Sequence, residues 1–163
     1  MSKILEKIKM HNLSFTDYVK GKNVAIIGPA SSVLFEKNGQ EIDEYDIVIR
    51  INRGFEIIDN LRDFVGSRTD ILYNSLDFDP LTGGDLFKME EANIKFICCP
   101  YPIKERTFKE KIFLNNAGAS LFEKYQIRFI DEEIYYNFHN KHSYRNQSQL
   151  YIFYSQGDLK YLL

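Results

Sequence analysis

An α/β domain built on a mostly parallel sheet with flanking helices is the fold that the 163-residue sequence predicts. Apolar runs rich in β-branched residues recur about every 25 residues, the repeat length of a strand plus its crossover. The runs stop abruptly at glycine, asparagine or proline, as strands do where they hand over to loops. The intervals between runs hold a helix or long loop, so parallel pairing through right-handed crossovers, of doubly wound type, is expected. The length suits one domain, taken as 1–163, with a sizeable core.

The elements follow in order. Ile4, Leu5, Ile8, Leu13 and Phe15 give a short amphipathic lead-in over 3–20, its period broken at His11-Asn12. Asn23 to Ile27 is a continuous apolar run ended by Gly28-Pro29, the pattern of a first strand buried on both faces. Tyr45 to Ile51, Asp70 to Tyr73 and Ile94 to Cys99 repeat that pattern, and Ile127 to Ile130 is a fifth strand after a polar stretch from Lys104 to Lys124. From Asn137 to Gln149 the chain is almost wholly polar and shows no helical period.

Hydrophobic residues at 44% and aromatic residues at 15% supply a core and argue against disorder. With Lys+Arg 21 against Asp+Glu 23 the net charge is −2, so no global basic field draws the chain to nucleic acid or anionic lipid. The cysteines, Cys98 and Cys99, are adjacent and match neither a disulfide framework nor a zinc pattern. No run approaches the ~18 apolar residues of a membrane-spanning helix. Residues 1–7 lack the apolar region of a secretory signal, so a cytoplasmic location without a transmembrane segment is expected.

Candidate site residues gather at strand ends. Gly28, Pro29 and Ser31 follow the first strand, where open α/β sheets bind ligands: glycine allows close approach, and a serine offers a hydroxyl and an amide to an anion or caps the next segment. Alternatively, Gly28-Pro29 simply ends a strand. Asn52 closes the second strand and Asn74 the third, each presenting an acceptor and two donors suited to ribose hydroxyls or a pyrimidine edge, or serving as a turn residue. Arg50 and Arg53 add positive charge there or are salt-bridged scaffold. Asp77, Asp79 and Asp85 lack the ligand order of a calcium loop and read as a polar turn region, so no metal site is expected.

Three blocks of the chain resemble a known family: Val24 to Ser32, Gly39 to Arg53 with its Gly-x-Glu-Ile-Asp-x-Tyr-Asp lead and Val-Ile-Arg-Ile-Asn, and Gly66 to Asn74 with Gly-Ser-Arg-Thr-Asp. Together they are similar to the large sialyl motif of the sialyltransferase-like glycosyltransferases, family 29, with a looser likeness to bacterial family 42 enzymes. The resemblance covers 22–76. It implies a Rossmann-like fold that binds cytidine 5′-monophospho-sialic acid and transfers the sugar to a glycan acceptor hydroxyl, inverting and without a catalytic metal or other cofactor. It also implies that Gly28, Pro29 and Ser31 meet the donor nucleotide, that Asn52 contacts its phosphate, and that Asn74 lies near the donor sugar.

The family's later motifs, a Pro-x-Thr-Gly segment and a histidine general base, find no match in residues 141–150. The donor-binding half is therefore placed at 22–100. The remainder, 101–163, is expected to be C-terminally incomplete, with 154–163 resembling a helix running into a further strand. His139 and His142 are candidates for the base by residue type alone, or surface histidines, and the catalytic residues stay unassigned. Two rival readings are kept: a non-catalytic nucleotide-binding or structural remnant, and an unrelated binding module. An incomplete sheet would expose an edge strand, so self-association is also expected.

Overall fold

The computed structural model describes residues 2–28, 30–56, 58–76, 81, 83–85, 88–89, 92–103 and 123–142; the side chains of 2–5, 58–60 and 138–142 are outside that description. Five strands, β1 (Val24–Ile27), β2 (Ile47–Ile51), β3 (Ile71–Tyr73), β4 (Phe96–Cys99) and β5 (Gln126–Phe129), form a single sheet. Every pairing is parallel, with Val24 opposite Ile47, Ile49 opposite Ile71, Ile71 opposite Phe96 and Phe96 opposite Gln126. All five runs read from the sequence are strands; the first four start one or two residues later than the run, and the fifth is shifted one residue earlier.

The described strands lie in chain order, β1 to β5, with no reversal of direction across the sheet. The doubly wound expectation is corrected on this point. Right-handed crossovers between sequential neighbours all pass over the same face, so the opposite face needs another cover. That cover is α1 (Ser2–Val19), an 18-residue helix whose Phe15 and Val19 pack with Ile47, Ile49, Ile71, Phe96 and Cys98. Phe15 and Phe96 meet edge to face at 5.4 Å, and the buried Arg128 guanidinium stacks 4.5 Å over the Phe15 ring. On the crossover face, Leu72, Ile97, Cys99, Ile127 and Phe129 pack with Phe55, Leu76, Met89 and Ile94.

The expected break at His11-Asn12 does not occur: α1 runs through it unbroken. The reason is tertiary. His11 Nδ1 lies 3.1 Å from the Ile127 N–H and 3.0 Å from the Ile127 carbonyl, accepting from the first in one tautomer and donating to the second in the other. A polar residue thus covers the outer edge of β5, which would otherwise present unpaired backbone groups. At the other side, β1 is only partly buried rather than enclosed on both faces, because it is the edge strand.

On the crossover face, α2 (Gly39–Glu44) lies against α3 (Ile58–Val65). Their contact requires glycine at 39: a Cβ there would sit 1.9 Å from the Arg62 carbonyl oxygen. After β5 the chain enters α4 (Glu132–His142), where Glu133 N–H donates to the Asp131 carboxylate at 2.8 Å. The helix opens on two acidic residues, favourable at a helix start. Lack of apolar period had hidden this helix in the sequence, and its course corrects the reading of 137–142 as unpatterned. Residues 104–122 and 143–163 lie outside the described residues, as do the expected helical stretch and the 154–163 resemblance that fall on them.

Candidate functional site

β1 delivers Gly28 at its carboxyl end, followed by a single 3-10 turn, Ser31–Leu34; β2 is followed by a second, Asn52–Phe55. Between these two turns and α3 lies a cleft of about 260 Å³, lined by Ile27, Gly28, Ala30, Ser31, Val33, Leu34, Arg50, Arg53, Gly54, Leu61 and Val65. Gly28 and Ser31 are thus brought together as expected. A Cβ built on Gly28 meets nothing within 4 Å, and its φ is not positive. Neither packing nor backbone conformation demands glycine at this position, so what its missing side chain preserves is open space in the cleft.

Ser31 does not cap the turn it begins. The capping position is Ala30, extended at φ −72 and ψ 140, with no side-chain hydrogen bond. The Ser31 hydroxyl, on an exposed residue, therefore has no capping duty at the cleft wall. Pro29 lies outside the described residues.

Asn52 and Asn74 behave differently from Gly28 and Ser31. Asn52 adopts a left-handed φ of 49, a conformation that asparagine tolerates, and its Oδ1 accepts the Ser75 N–H at 3.3 Å. Its amide thus bridges the ends of β2 and β3 beside the cleft. Asn74 has no exposed surface: Nδ2 donates to the Gly83 carbonyl at 2.7 Å and Oδ1 accepts the Leu76 N–H at 2.7 Å. Its amide is committed to the loop after β3. Glu56 ties the same loop from below, taking the Arg53 Nε–H at 3.1 Å and the Asp85 N–H. Asp85 also faces Lys88 at 3.8 Å, while Asp77 and Asp79 lie outside the described residues.

The shared motif residues interlock behind the cleft. The Asp43 carboxylate accepts the Ser67 N–H at 2.9 Å, the Ser67 hydroxyl at 2.8 Å and the Arg68 N–H at 3.2 Å. Arg68 donates to the carbonyls of Asp43 at 3.2 Å and Tyr45 at 2.6 Å and to Asp70 at 3.1 Å; Asp70 accepts the Val48 N–H at 2.9 Å. Gly66 turns this loop at φ +74, a conformation open to glycine.

Arg50 reaches the same loop from β2 and is 1% exposed. Its Nε donates to the Arg68 carbonyl at 3.0 Å and the Thr69 hydroxyl at 3.1 Å; Nη2 donates to the carbonyls of Val65 at 2.6 Å and Gly66 at 3.2 Å. Burial lowers its affinity for its proton to a pKa of about 10, partly offset by the charge of Asp43. Arg53, read from sequence as added positive charge or salt-bridged scaffold, lines the cleft and pairs with Glu56; Gly54, Leu61 and Val65 were not singled out, although Gly54 closely follows a strand end and that position alone marks it.

His11 is committed to the β5 edge, and the side chains of His139 and His142 lie outside the described residues. No helix among the described residues is long and apolar enough to cross a membrane.

A parallel sheet with a cleft beyond the carboxyl ends of its first two strands defines an α/β domain of Rossmann-like form. Within that class, the chain belongs to glycosyltransferase family 29, the sialyltransferases, whose family model matches residues 1–112. That span takes in the whole cleft and every strand through β4. A comparison with curated proteins finds no match.

Proposed function

We propose that the chain binds cytidine 5′-monophospho-sialic acid in the cleft beside Gly28 and serves in transfer of the sialic acid to a glycan acceptor hydroxyl, with inversion and without a metal clamp. The observation that carries this reading is the open space kept at Gly28 beside the Ser31 hydroxyl, in a chain of the sialyltransferase family. Neutral donors at such a cleft bind oxyanions directly; Asn52 does not line the cleft but precedes the lining Arg53, and its Nδ2 is the group that would extend the set. Asn74 enters as the residue that shapes the loop over β3.

Calorimetric titration with cytidine monophosphate, against uridine and adenosine monophosphates, tests the reading. Selective binding of the cytidine nucleotide is expected; a folded chain that binds none of the three would overturn it. Gly28→Val should abolish that binding while leaving the melting temperature within a few degrees, because the added side chain enters open space.

Donor binding without transfer is the second reading, and the placement of His11 favours it: the histidine whose side chain is described is engaged with backbone far from the cleft. Release of free sialic acid or of a sialylated product from the donor separates the two.

A further inference from the structure

Arg50 is the deepest charged group of the cleft, and its bonding is one-sided. The Nε and Nη2 edge of the guanidinium is spent on the loop at 65–69, while Nη1 has no hydrogen-bond partner among the described residues. Those acceptors are all neutral: three backbone carbonyls and one hydroxyl. Among the described residues no carboxylate forms an ion pair with it, Asp43 acting only through space. The cleft's other charged liner is also a cation, Arg53, whose Nε is already matched by Glu56. A buried cation held only by dipoles keeps its net charge, and burial disfavours such a charge without a counterion.

We infer that Arg50 is the anion-selecting residue of the cleft: an oxyanion of the ligand, phosphate or carboxylate, supplies the counterion that the protein withholds. For the identity of that ligand the inference rests on the donor reading, since the sialic acid donor carries both groups. Four hydrogen bonds orient the guanidinium before any ligand arrives, so little ordering cost remains at binding. The consequence is a preference for charged over neutral ligands of the same shape.

Removing Arg50 would also remove the bonds that hold the loop, so the test quenches its charge instead. A Cβ on Gly54 lies 3.5 Å from the Arg50 Cβ and 4.0 Å from its Cδ, ordinary contact, and Gly54 lines the cleft. Gly54→Asp sets a carboxylate beside the guanidinium; Gly54→Asn is its neutral match in size. Calorimetry with cytidine monophosphate and with cytidine should show the nucleotide binding at least about tenfold tighter to the wild-type and Gly54→Asn proteins. In Gly54→Asp the ratio should collapse toward one. Equal ratios in Gly54→Asp and Gly54→Asn, or no preference in the wild type, overturn the role of Arg50 and leave the donor reading intact.

N-acetylneuraminic acid in the same series assigns the partner. Binding that Gly54→Asp abolishes and Gly54→Asn keeps gives Arg50 to the carboxylate; no binding alongside a nucleotide preference gives it to the phosphate. If neither nucleotide nor nucleoside binds the wild type, the donor reading fails, and inorganic pyrophosphate decides the rest. Pyrophosphate held by Gly54→Asn and lost by Gly54→Asp keeps the anion site, whereas no binding overturns it. Should Gly54→Asp not fold, Gly54→Glu against Gly54→Gln replaces the pair, and equal nucleotide preferences in those two likewise overturn the inference.

Discussion

Asn74 shows how a polar residue at a strand end can be read correctly in position and still do unexpected work. Both ends of its buried amide are satisfied by backbone, so Asn74→Ala leaves the Gly83 carbonyl and the Leu76 N–H without their partner. A loss of about 3 kcal/mol in urea denaturation is expected. Cys98 carries a second residue-scale prediction. Burial pushes its thiol up to about 12 from an ordinary value of 9.0, and burial likewise raises the Tyr73 hydroxyl. The unfolded chain loses the thiol proton near pH 9, while the folded chain keeps it until about 12. The stability tied to that proton is therefore whole below pH 9 and falls as the pH rises toward 12. Denaturation midpoints measured across that window should drop, and less so in Cys98→Ala. The positions of Gly28, Ser31 and Asn52 were legible from strand ends alone. What Asn74 does was not, because its partners Gly83 and Leu76 sit in a loop whose path no periodicity encodes.

Among the elements, the strands were the most legible, since five apolar runs needed only their own composition to declare themselves. The helices depended on distant partners. His11-Asn12 looked like an interruption because the group that satisfies His11 lies on β5, and α4 escaped notice because its exposed and half-buried positions follow no apolar stripe. His11→Ala should therefore cost about 1 kcal/mol and speed hydrogen exchange at the Ile127 amide, a site-specific effect that a merely solvent-facing histidine would not produce. The approach of α2 to α3 is more demanding. Gly39→Ala forces a methyl group into the Arg62 carbonyl and must push the helices apart, with an expected loss of at least about 2 kcal/mol by chemical denaturation. Gly39 belongs to the block that resembled the family motif, yet only the three-dimensional contact shows that the glycine serves the scaffold.

At the scale of the whole molecule, the motif blocks divide their labour. Asp43, Arg68, Asp70 and Arg50 lock the frame, while Gly28 and Ser31 border the space it frames. The parallel sheet was legible; its strand order was not, because crossover lengths fix parallel pairing without saying on which side each new strand is laid. Chain-order stacking also bears on how the domain is made. Each strand can add to the edge left by the previous one as synthesis proceeds, without waiting for later sequence. The exception is the first helix made. Its carboxyl half, with Phe15 and Val19, finds β2 to β4 early, but His11 must wait for Ile127, 116 residues further on. The amino-terminal half of α1 is thus fastened last, by the strand that leaves the ribosome after the other four.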